Sequence, residues 1–380
     1  MKQGWEIKKL GDICHTSNGL WKGKKPPFIT IGVLRSTNFT KDCRLKLDDV
    51  AYIEVEENSF AKRKLQKNDI VVERSGGGPN QPVGRVLLFD IDDDNFSFCN
   101  FTSALRVIDS SYISPIYLHK YLNYFYLSGK TIEMQSNTIG LRNLDYTKYL
   151  DIDVPIPSLA EQERIVEILD REFERIDALK ANAEQNLQHA KNLFQAALKN
   201  ELETIDSCTI KDLYNIRTGK LNSNAAVKDG KYPFFTCSRE VFSINDYAFD
   251  NEAILLAGNN ASGDFNVKYY KGKFNAYQRT YVITAKHKET NVRMLYFVLT
   301  NYLTELKKMS LGANTKFLKL GMVEDVKVPI YDEQNIEDVV ARLDKLNERC
   351  KALEENYKKT IALCDDMKQA LLRKAFNGEL

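Results

Sequence analysis

The chain is written twice. Val154-Pro155-Ile156, opening a long charged stretch, returns as Val328-Pro329-Ile330 opening another, an offset of 328 − 154 = 174. At the same offset Leu169-Asp170 matches Leu343-Asp344, Glu174-Arg175 matches Glu348-Arg349, and Ala178-Leu179 matches Ala352-Leu353. Gln195-Ala196 and Leu198 fall on Gln369-Ala370 and Leu372, and Glu161-Gln162 meets Glu333-Gln334 after a two-residue shift. A fainter echo precedes each half, with Ile7, Leu10 and Ile13 set against Ile210, Leu213 and Ile216, then Gly19 against Gly219. Two copies are too few for a solenoid. A duplicated chain predicts a pseudo-twofold molecule, which suits a pseudo-twofold partner.

At 380 residues and 43% hydrophobic content, there is apolar material for about two globular domains with extensions. No apolar run reaches the length of a membrane span, and Met1-Lys2-Gln3-Gly4-Trp5-Glu6 lacks the apolar core of a signal peptide. The expectation is a cytoplasmic protein. The 7 cysteines are scattered, without a C-x-x-C pair or a histidine at ligand spacing, which predicts reduced thiols, mostly buried, and neither a disulfide frame nor a zinc site.

Net charge is +2, from 54 basic and 52 acidic residues, and does not by itself announce a nucleic-acid binder. Distribution is more telling than the sum. Acid gathers on the long charged stretches and in Asp90-Ile91-Asp92-Asp93-Asp94, whereas Lys22-Gly23-Lys24-Lys25 and Lys268-Tyr269-Tyr270-Lys271-Gly272-Lys273 are basic. Any one such cluster, taken alone, reads as solvated surface.

Residues 1–152 read as short strands and turns: Phe28-Ile31, Asp69-Val72, Gly84-Phe89 and Ala104-Ile108 are β-branched or apolar runs bounded by Gly, Pro and Asp. Ser114 as a cap and Pro115 at the first helical position predict a helix to Leu127. Residues 205–327 repeat the style with Glu252-Ala257, Thr280-Thr284 and a helix from Val292 to about Lys307. Both units are expected to be mixed α/β (α+β) domains.

Residues 153–204 and 328–380 have a different period. Leu169, Phe173, Ile176, Ala183, Leu187, Ala190, Phe194 and Ala197 recur at steps of three and four, with Lys180 filling one gap. Leu343, Leu346, Cys350, Leu353, Tyr357, Thr360, Cys364, Met367 and Leu371 form a second such series. Both are heptad seams without internal Gly or Pro. The simplest closure pairs them with each other as an antiparallel coiled coil; homo-oligomerisation through some other bundle is the alternative.

Catalytic motifs fail on inspection. Lys25-Pro26-Pro27-Phe28 has the outline of an amino-methyltransferase loop, but lysine offers donors only and cannot accept from a target amine. Arg74-Ser75-Gly76-Gly77-Gly78-Pro79 lacks the ending of a P-loop. Asp90, Asp92 and Asp94 open like a calcium loop, yet Asn95 and Phe101 stand where Gly and Glu are needed. His15, His119, His189 and His287 have no plausible nucleophile or second ligand nearby in sequence. The expectation is a chain without catalytic residues, metal or cofactor of its own.

Taken together, these residues resemble one family, the specificity subunit of type I restriction-modification enzymes. The resemblance spans the chain and is carried by Val154-Pro155-Ile156-Pro157 with Glu161-Gln162, by Val328-Pro329-Ile330 with Glu333-Gln334, by Leu10-Gly11-Asp12-Ile13 with Gly19, and by Asp69-Val72 leading into Ser75-Gly78. The second copy departs from the pattern, with Tyr331-Asp332 where a proline is expected and no Gly-Asp pair in Leu213-Tyr214-Asn215-Ile216. The resemblance implies two target recognition domains, each reading half of a split double-stranded DNA site. It also implies spacer helices that set the separation and dock two methyltransferase subunits, with restriction subunits joining. S-adenosylmethionine, ATP and Mg would then belong to the partners.

Loop residues with base- or phosphate-directed chemistry are the candidates for DNA contact: Lys22, Lys24, Arg74, Gln81, Arg85 and Arg142 in the first domain, and Asn259, Asn260, Lys271, Tyr277, Gln278, Arg279, Lys316 and Lys319 in the second. The rival reading is a non-catalytic coiled-coil scaffold with two protein-binding modules, favoured by the near-neutral charge. A third is the recognition subunit of a related restriction class with the same domains.

Overall fold

The computed structural model describes residues 4–20, 23, 25–40, 43–78, 81–138, 141–203 and 206–380, and only the backbone of 137, 138, 333 and 334. Lys22, Lys24 and the side chains of Glu333 and Gln334 therefore lie outside the described residues. The chain divides into two compact units, Met1–Asn182 with Thr360–Leu380, and Ala183–Lys359. Four helices carry much of the packing: α1 (Pro115–Leu127), α2 (Leu159–Leu202), α3 (Val292–Met309) and α4 (Glu333–Asn377).

In unit 1, Glu6–Lys9 pairs antiparallel with Asp153–Ile156, so the Val-Pro-Ile signature is a strand. One helical turn, Leu10–Ile13, leads into a four-stranded antiparallel sheet ordered Cys14–Asn18, Thr102–Val107, Asp69–Glu73, Val86–Phe89. A second sheet sets Phe28–Leu34 between antiparallel Ala51–Glu56 and parallel Phe96–Phe98. Helix α1 begins where its sequence says: the Ser114 hydroxyl accepts from Tyr117 N, and Pro115 occupies the first turn. Its Tyr117, Leu118, Tyr121, Leu122 and Phe125 enter a core shared with Ile70, Val72 and Leu105 of the sheet.

Gln162, half of the Glu-Gln signature, is fully buried. Its oxygen accepts from Ser114 N at 2.8 Å, and its Nε2 donates to Tyr112 O at 3.1 Å and Pro157 O at 2.9 Å. One carboxamide thus ties the start of α2 to the start of α1.

Unit 2 follows the same plan. Ser207–Thr209 pairs with Lys327–Pro329, the turn Ile210–Leu213 follows, and a six-stranded sheet runs Tyr214–Thr218, Thr280–Ala285, Phe249–Ala257, Val267–Ala276, Tyr232–Phe235, Phe242–Ile244. Helix α3 is capped by the Asn291 side chain, which accepts from Met294 N, and it buries Met294, Leu295, Phe297 and Val298. The basic cluster around Lys268 is part of a ten-residue strand, Val267–Ala276, where Val, Tyr and Phe outweigh the lysines in strand preference.

The structure corrects the register of the faint echo. Leu10 corresponds to Ile210 rather than Leu213: Leu10 N donates to Ile152 O and Ile210 N to Val326 O, both at 3.0 Å, while Ile108 N meets Ile13 O and Lys286 N meets Leu213 O. The offset is then 210 − 10 = 200, the same as 219 − 19 = 200 for the glycines, and no gap is needed. The three-residue slip is about one helical turn, which preserves an apolar pattern while misplacing it. Gly19 and Gly219 share one cause: a Cβ on either would lie 1.8 Å from a carbonyl oxygen, of Cys99 and Ala276 respectively.

Within unit 1, the first part of α2 runs antiparallel to the end of α4. Lys180 pairs with Asp365 at 2.6 Å, Asp177 with Lys368, and Arg164 Nη2 donates to Leu380 O at 2.9 Å. Within unit 2, Glu201 near the end of α2 pairs with Arg342 near the start of α4, and Phe194 and Leu198 pack with Val339, Val340 and Leu343. The α2 seam is buried or half-buried at every expected position. On α4 the seam instead passes through Leu343, Asn347, Cys350, Glu354, Tyr357, Ile361, Cys364, Lys368 and Leu372, and leaves Leu353 and Met367 exposed. Both series keep the heptad spacing of about 3.5, and they differ by one residue at alternate positions, where Asn347, Glu354 and Lys368 are more buried than an apolar count would place them. All seven cysteines are free thiols, and Cys14, Cys43, Cys350 and Cys364 are buried. Among the described residues, no helix is long and apolar enough to cross a membrane.

Candidate functional site

In each unit four segments meet at one end of the main sheet, joined by equivalent backbone bonds. In unit 1, Arg74 N donates to Phe101 O at 2.8 Å and Leu144 N donates to Arg74 O at 2.8 Å. In unit 2, Gly258 N donates to Arg279 O at 2.9 Å and Leu318 N donates to Gly258 O at 2.8 Å. The fourth segment is the end of the first sheet strand, at Asn18 in unit 1 and Thr218 in unit 2. This alignment puts Arg142 and Lys316, two candidates chosen on chemistry alone, at equivalent positions.

Arg74 is half-buried. Its Nη1 donates to Asn18 Oδ1 at 2.8 Å and Ser103 Oγ at 3.2 Å, and its guanidinium lies 4.3 Å from the centre of the Tyr146 ring. Burial pushes the Tyr146 hydroxyl up to about 12, so the stacking surface stays uncharged. Ser75 Oγ donates to Asn143 Oδ1 at 2.5 Å, which ties the glycine loop to the strand that carries Arg142. Gly76 sits at φ +110, and among the described residues a Cβ added to Gly76 or Gly78 would meet nothing within 4 Å. Arg142 itself reaches Gln135 Oε1 at 3.5 Å.

Arg85 has a different role from the one its residue type suggested. It is 5% exposed. Its Nε and Nη2 grip Glu73 at 2.8 and 2.7 Å, Nη1 donates to Phe39 O at 2.7 Å, and Nη2 also reaches Ser36 O at 3.1 Å. A guanidinium so committed cannot reach a base without abandoning a buried carboxylate. The Gln81 carboxamide faces the Arg85 guanidinium, whose Nη2 its oxygen accepts from at 2.8 Å once the amide is turned over, and both residues border an open cleft with Gly76 and Gly78.

In unit 2, Asn259, Asn260, Tyr277, Gln278, Arg279, Lys316 and Lys319 are brought together. Asn259 and Asn260 pair with Phe317 and Lys316 in a two-residue ladder. Asn260 Oδ1 accepts from Ser262 N, Ser262 Oγ and Asp264 N, so it shapes the loop. Gln278 Nε2 donates to Asn222 Oδ1 at 2.9 Å. The Arg279 and Lys319 side chains are exposed. Lys271 lies apart, mid-strand, with its ammonium 3.4 Å from Glu252.

Several residues at these ends are outside the candidates for DNA contact drawn from sequence. Asn18, Asn100, Phe101 and Asn143 belong to unit 1, and Asn222, Arg239 and Lys268 to unit 2. Lys268 donates to Ser238 O and Asn266 Oδ1, both at 2.5 Å, and holds the neighbouring loop in place. Burial lowers its ammonium below the ordinary lysine value, with Arg239 acting the same way. The available signal was the repeat itself: aligning Cys99-x-x-Thr102 with Tyr277-x-x-Thr280 would have set Asn100 and Phe101 beside Gln278 and Arg279.

The arrangement offers cations, carboxamides and stacking rings on an open surface, the donor and acceptor set that meets phosphates and base edges. Among the described residues, no cluster of His, Cys, Asp and Glu could hold a metal ion. Comparisons with known proteins agree with that chemistry. The chain is 39% identical to the type I restriction enzyme EcoDI specificity subunit of Escherichia coli over 171 residues, 44% of this chain and 37% of that subunit, so the matched segment spans little over a third of that relative. It is 22% identical to the StySPI specificity subunit of Salmonella potsdam across 100% of this chain and 90% of the other. In fold it resembles a chain from a structure of complex assembly and conformational transition in the type I R-M system, with TM-score 0.80 over 100% of this chain and 99% of that one at 16% identity. It also resembles the HsdS subunit from Thermoanaerobacter tengcongensis, with TM-score 0.61 over 100% and 98% at 16% identity. Residues 2–189 and 203–363 match the family model for the type I restriction modification DNA specificity domain, so the chain belongs to that family.

Proposed function

We propose that this chain is the DNA-recognition subunit of a type I restriction-modification complex, acting in the cytoplasm. Residues 1–152 and 205–327 serve as recognition domains, each reading one half of a split double-stranded site, and 153–204 and 328–380 serve as spacer helices. The observation that carries this reading is the pair of equivalent four-segment ends, built on one backbone plan with different side chains. Two such ends on one duplicated chain suit a bipartite, asymmetric sequence. Arg74, Arg142, Gln81, Asn259, Gln278, Arg279, Lys316 and Lys319 are the residues we assign to DNA contact. Asn260, Tyr277 and Lys268 support them from behind.

The long helices set the separation of the half-sites and dock two methyltransferase subunits, which restriction subunits then join. At about 1.5 Å per residue, the 44 residues of α2 make a rod of roughly 66 Å, ample for half-sites about 34 Å apart. Apolar side chains outside the seam supply the docking surface: Leu179, Leu363 and Met367 in unit 1, and Leu193 and Leu353 in unit 2. Chemistry, with its S-adenosylmethionine, ATP and Mg, lies on those partners. The test is binding of the assembled methyltransferase complex to duplex DNA across salt. Phosphate contacts predict a loss of about a thousandfold or more between roughly 50 and 200 mM salt. Binding that is flat in salt would favour a protein-binding scaffold.

A further inference from the structure

One of the four segments in each unit is a closed two-residue turn, Asn100-Phe101 in unit 1 and Gln278-Arg279 in unit 2. Their equivalence rests on backbone bonds. Thr102 N donates to Cys99 O at 3.0 Å, and Thr280 N donates to Tyr277 O at 2.8 Å. Before the turn, Cys99 bridges Leu20 and Tyr277 bridges Leu221, both in parallel sense. Behind the turn, the carbonyl of Phe101 accepts from Arg74 N and that of Arg279 from Gly258 N. The offset is constant through it: 278 − 100, 279 − 101 and 280 − 102 all equal 178.

The two turns agree at their first position and differ at their second. Both begin with a carboxamide. Phe101 then stands 52% exposed, where unit 2 presents the exposed guanidinium of Arg279. A single exposed phenylalanine is ordinary. This one is pinned at the tip of a turn whose counterpart carries the side chain best suited to a guanine edge.

We propose that these turns are the equivalent base-reading tips of the two units, and that their second residues give the half-sites different chemistry. Arg279 donates its paired N–H groups to O6 and N7 of a guanine. Phe101 packs on the 5-methyl group of a thymine, the apolar feature of the major groove. Asn100 and Gln278 stand beside them to pair with a neighbouring base edge. The two halves of the target then differ at the equivalent position, A·T for unit 1 and G·C for unit 2. This inference rests on the DNA-recognition function proposed above.

The test is the adenine methylome of a host carrying the complete complex with wild-type chain, Phe101→Ala, Phe101→Arg or Arg279→Ala. Arg279→Ala is expected to relax one G·C position in one half of the motif. Phe101→Ala should relax one A·T position in the other half, and Phe101→Arg should move that position toward G·C. Either alanine variant leaving the motif unchanged, both altering the same half, or the opposite base type relaxing would overturn the assignment. Should a variant fail to fold, the wild-type complex answers on modified duplexes. Uracil in place of one thymine in one half-site is expected to weaken binding roughly fourfold, the worth of one buried methyl. 7-Deazaguanine at one position of the other half is expected to weaken it by about tenfold. Duplexes without such positions would overturn it equally. A wild-type complex that marks no motif and binds no duplex defeats the recognition function itself, an outcome distinct from a misassigned tip.

Discussion

Arg85 and Glu73 lie buried against each other, so the effect of Arg85 on DNA binding is indirect. Removing the guanidinium leaves a carboxylate that is 1% exposed without its counter-charge, a loss of about 3–5 kcal/mol for a broken buried pair. Arg85→Ala is therefore expected to lower the melting temperature sharply, and replacing both residues by apolar ones of similar size should restore much of it. A melting curve for Arg85→Ala superimposable on the wild type would contradict this. The lesson about legibility is local. Sequence identifies arginine as a base reader by chemistry, but only packing reveals which arginines are already spent, and nothing near Arg85 in sequence announces Glu73, Phe39 and Ser36 as its partners. His119 shows the same limit. Burial, with the Lys120 ammonium next, holds its imidazole down at about 4, against an ordinary 6.5, and its Nε2 has no hydrogen-bond partner among the described residues. Between those values the unfolded chain binds the proton and the folded chain does not. Stability from this group is thus complete above 6.5 and is lost as pH falls toward 4. His119→Gln should flatten the upper part of that fall in melting temperature, where carboxylates do not yet titrate; parallel curves for the two proteins would refute the assignment.

Elements were read from sequence with uneven success, for physical reasons. Helix α1 was legible to the residue because Ser114 and Pro115 specify its start through local bonds. Helix α3 was legible because its apolar face has helical period. Strand Val267–Ala276 was obscured by its lysines, since strand preference resides in Val267, Tyr269, Tyr270 and Phe274 and in pairing to Phe249–Ala257, which is non-local. The α4 seam lies one residue past the apolar series at five positions, one of them the polar Asn347 at 6% exposure. Such a residue specifies register at a cost in stability. The continuity of α2 is testable directly. Leu187→Pro removes a backbone donor and clashes with the preceding turn, at about 3 kcal/mol or more. Co-purification with methyltransferase subunits is expected to fail, while each recognition domain keeps its own base preference. Unaltered assembly would mean that the helices do not set the spacing.

At the scale of the molecule, the duplication is legible in the repeated signatures, and its consequence for the interface is not. The repeated Val-Pro-Ile and Glu-Gln signatures mark strands and helix starts that support the fold, whereas the ends that differ between units carry few repeated residues. Phe101 has an aromatic side chain of a kind that suits stacking or an apolar wedge, but nothing in its sequence neighbourhood sets it apart, and it is the backbone equivalence with Arg279 that marks it. Lys271 has the charge of a phosphate contact, but it stands mid-strand and is paired with Glu252, away from the four-segment end. A recognition surface that must differ between its two halves leaves a weak signal in sequence and a clear one in topology. The central claim is that two equivalent units read two halves of one site, and a single-molecule methylome of the host, with this gene intact and deleted, tests it most directly. One split, asymmetric adenine-methylated motif, present with the gene and absent without it, is the predicted result; a contiguous motif, or one that survives deletion, would contradict it.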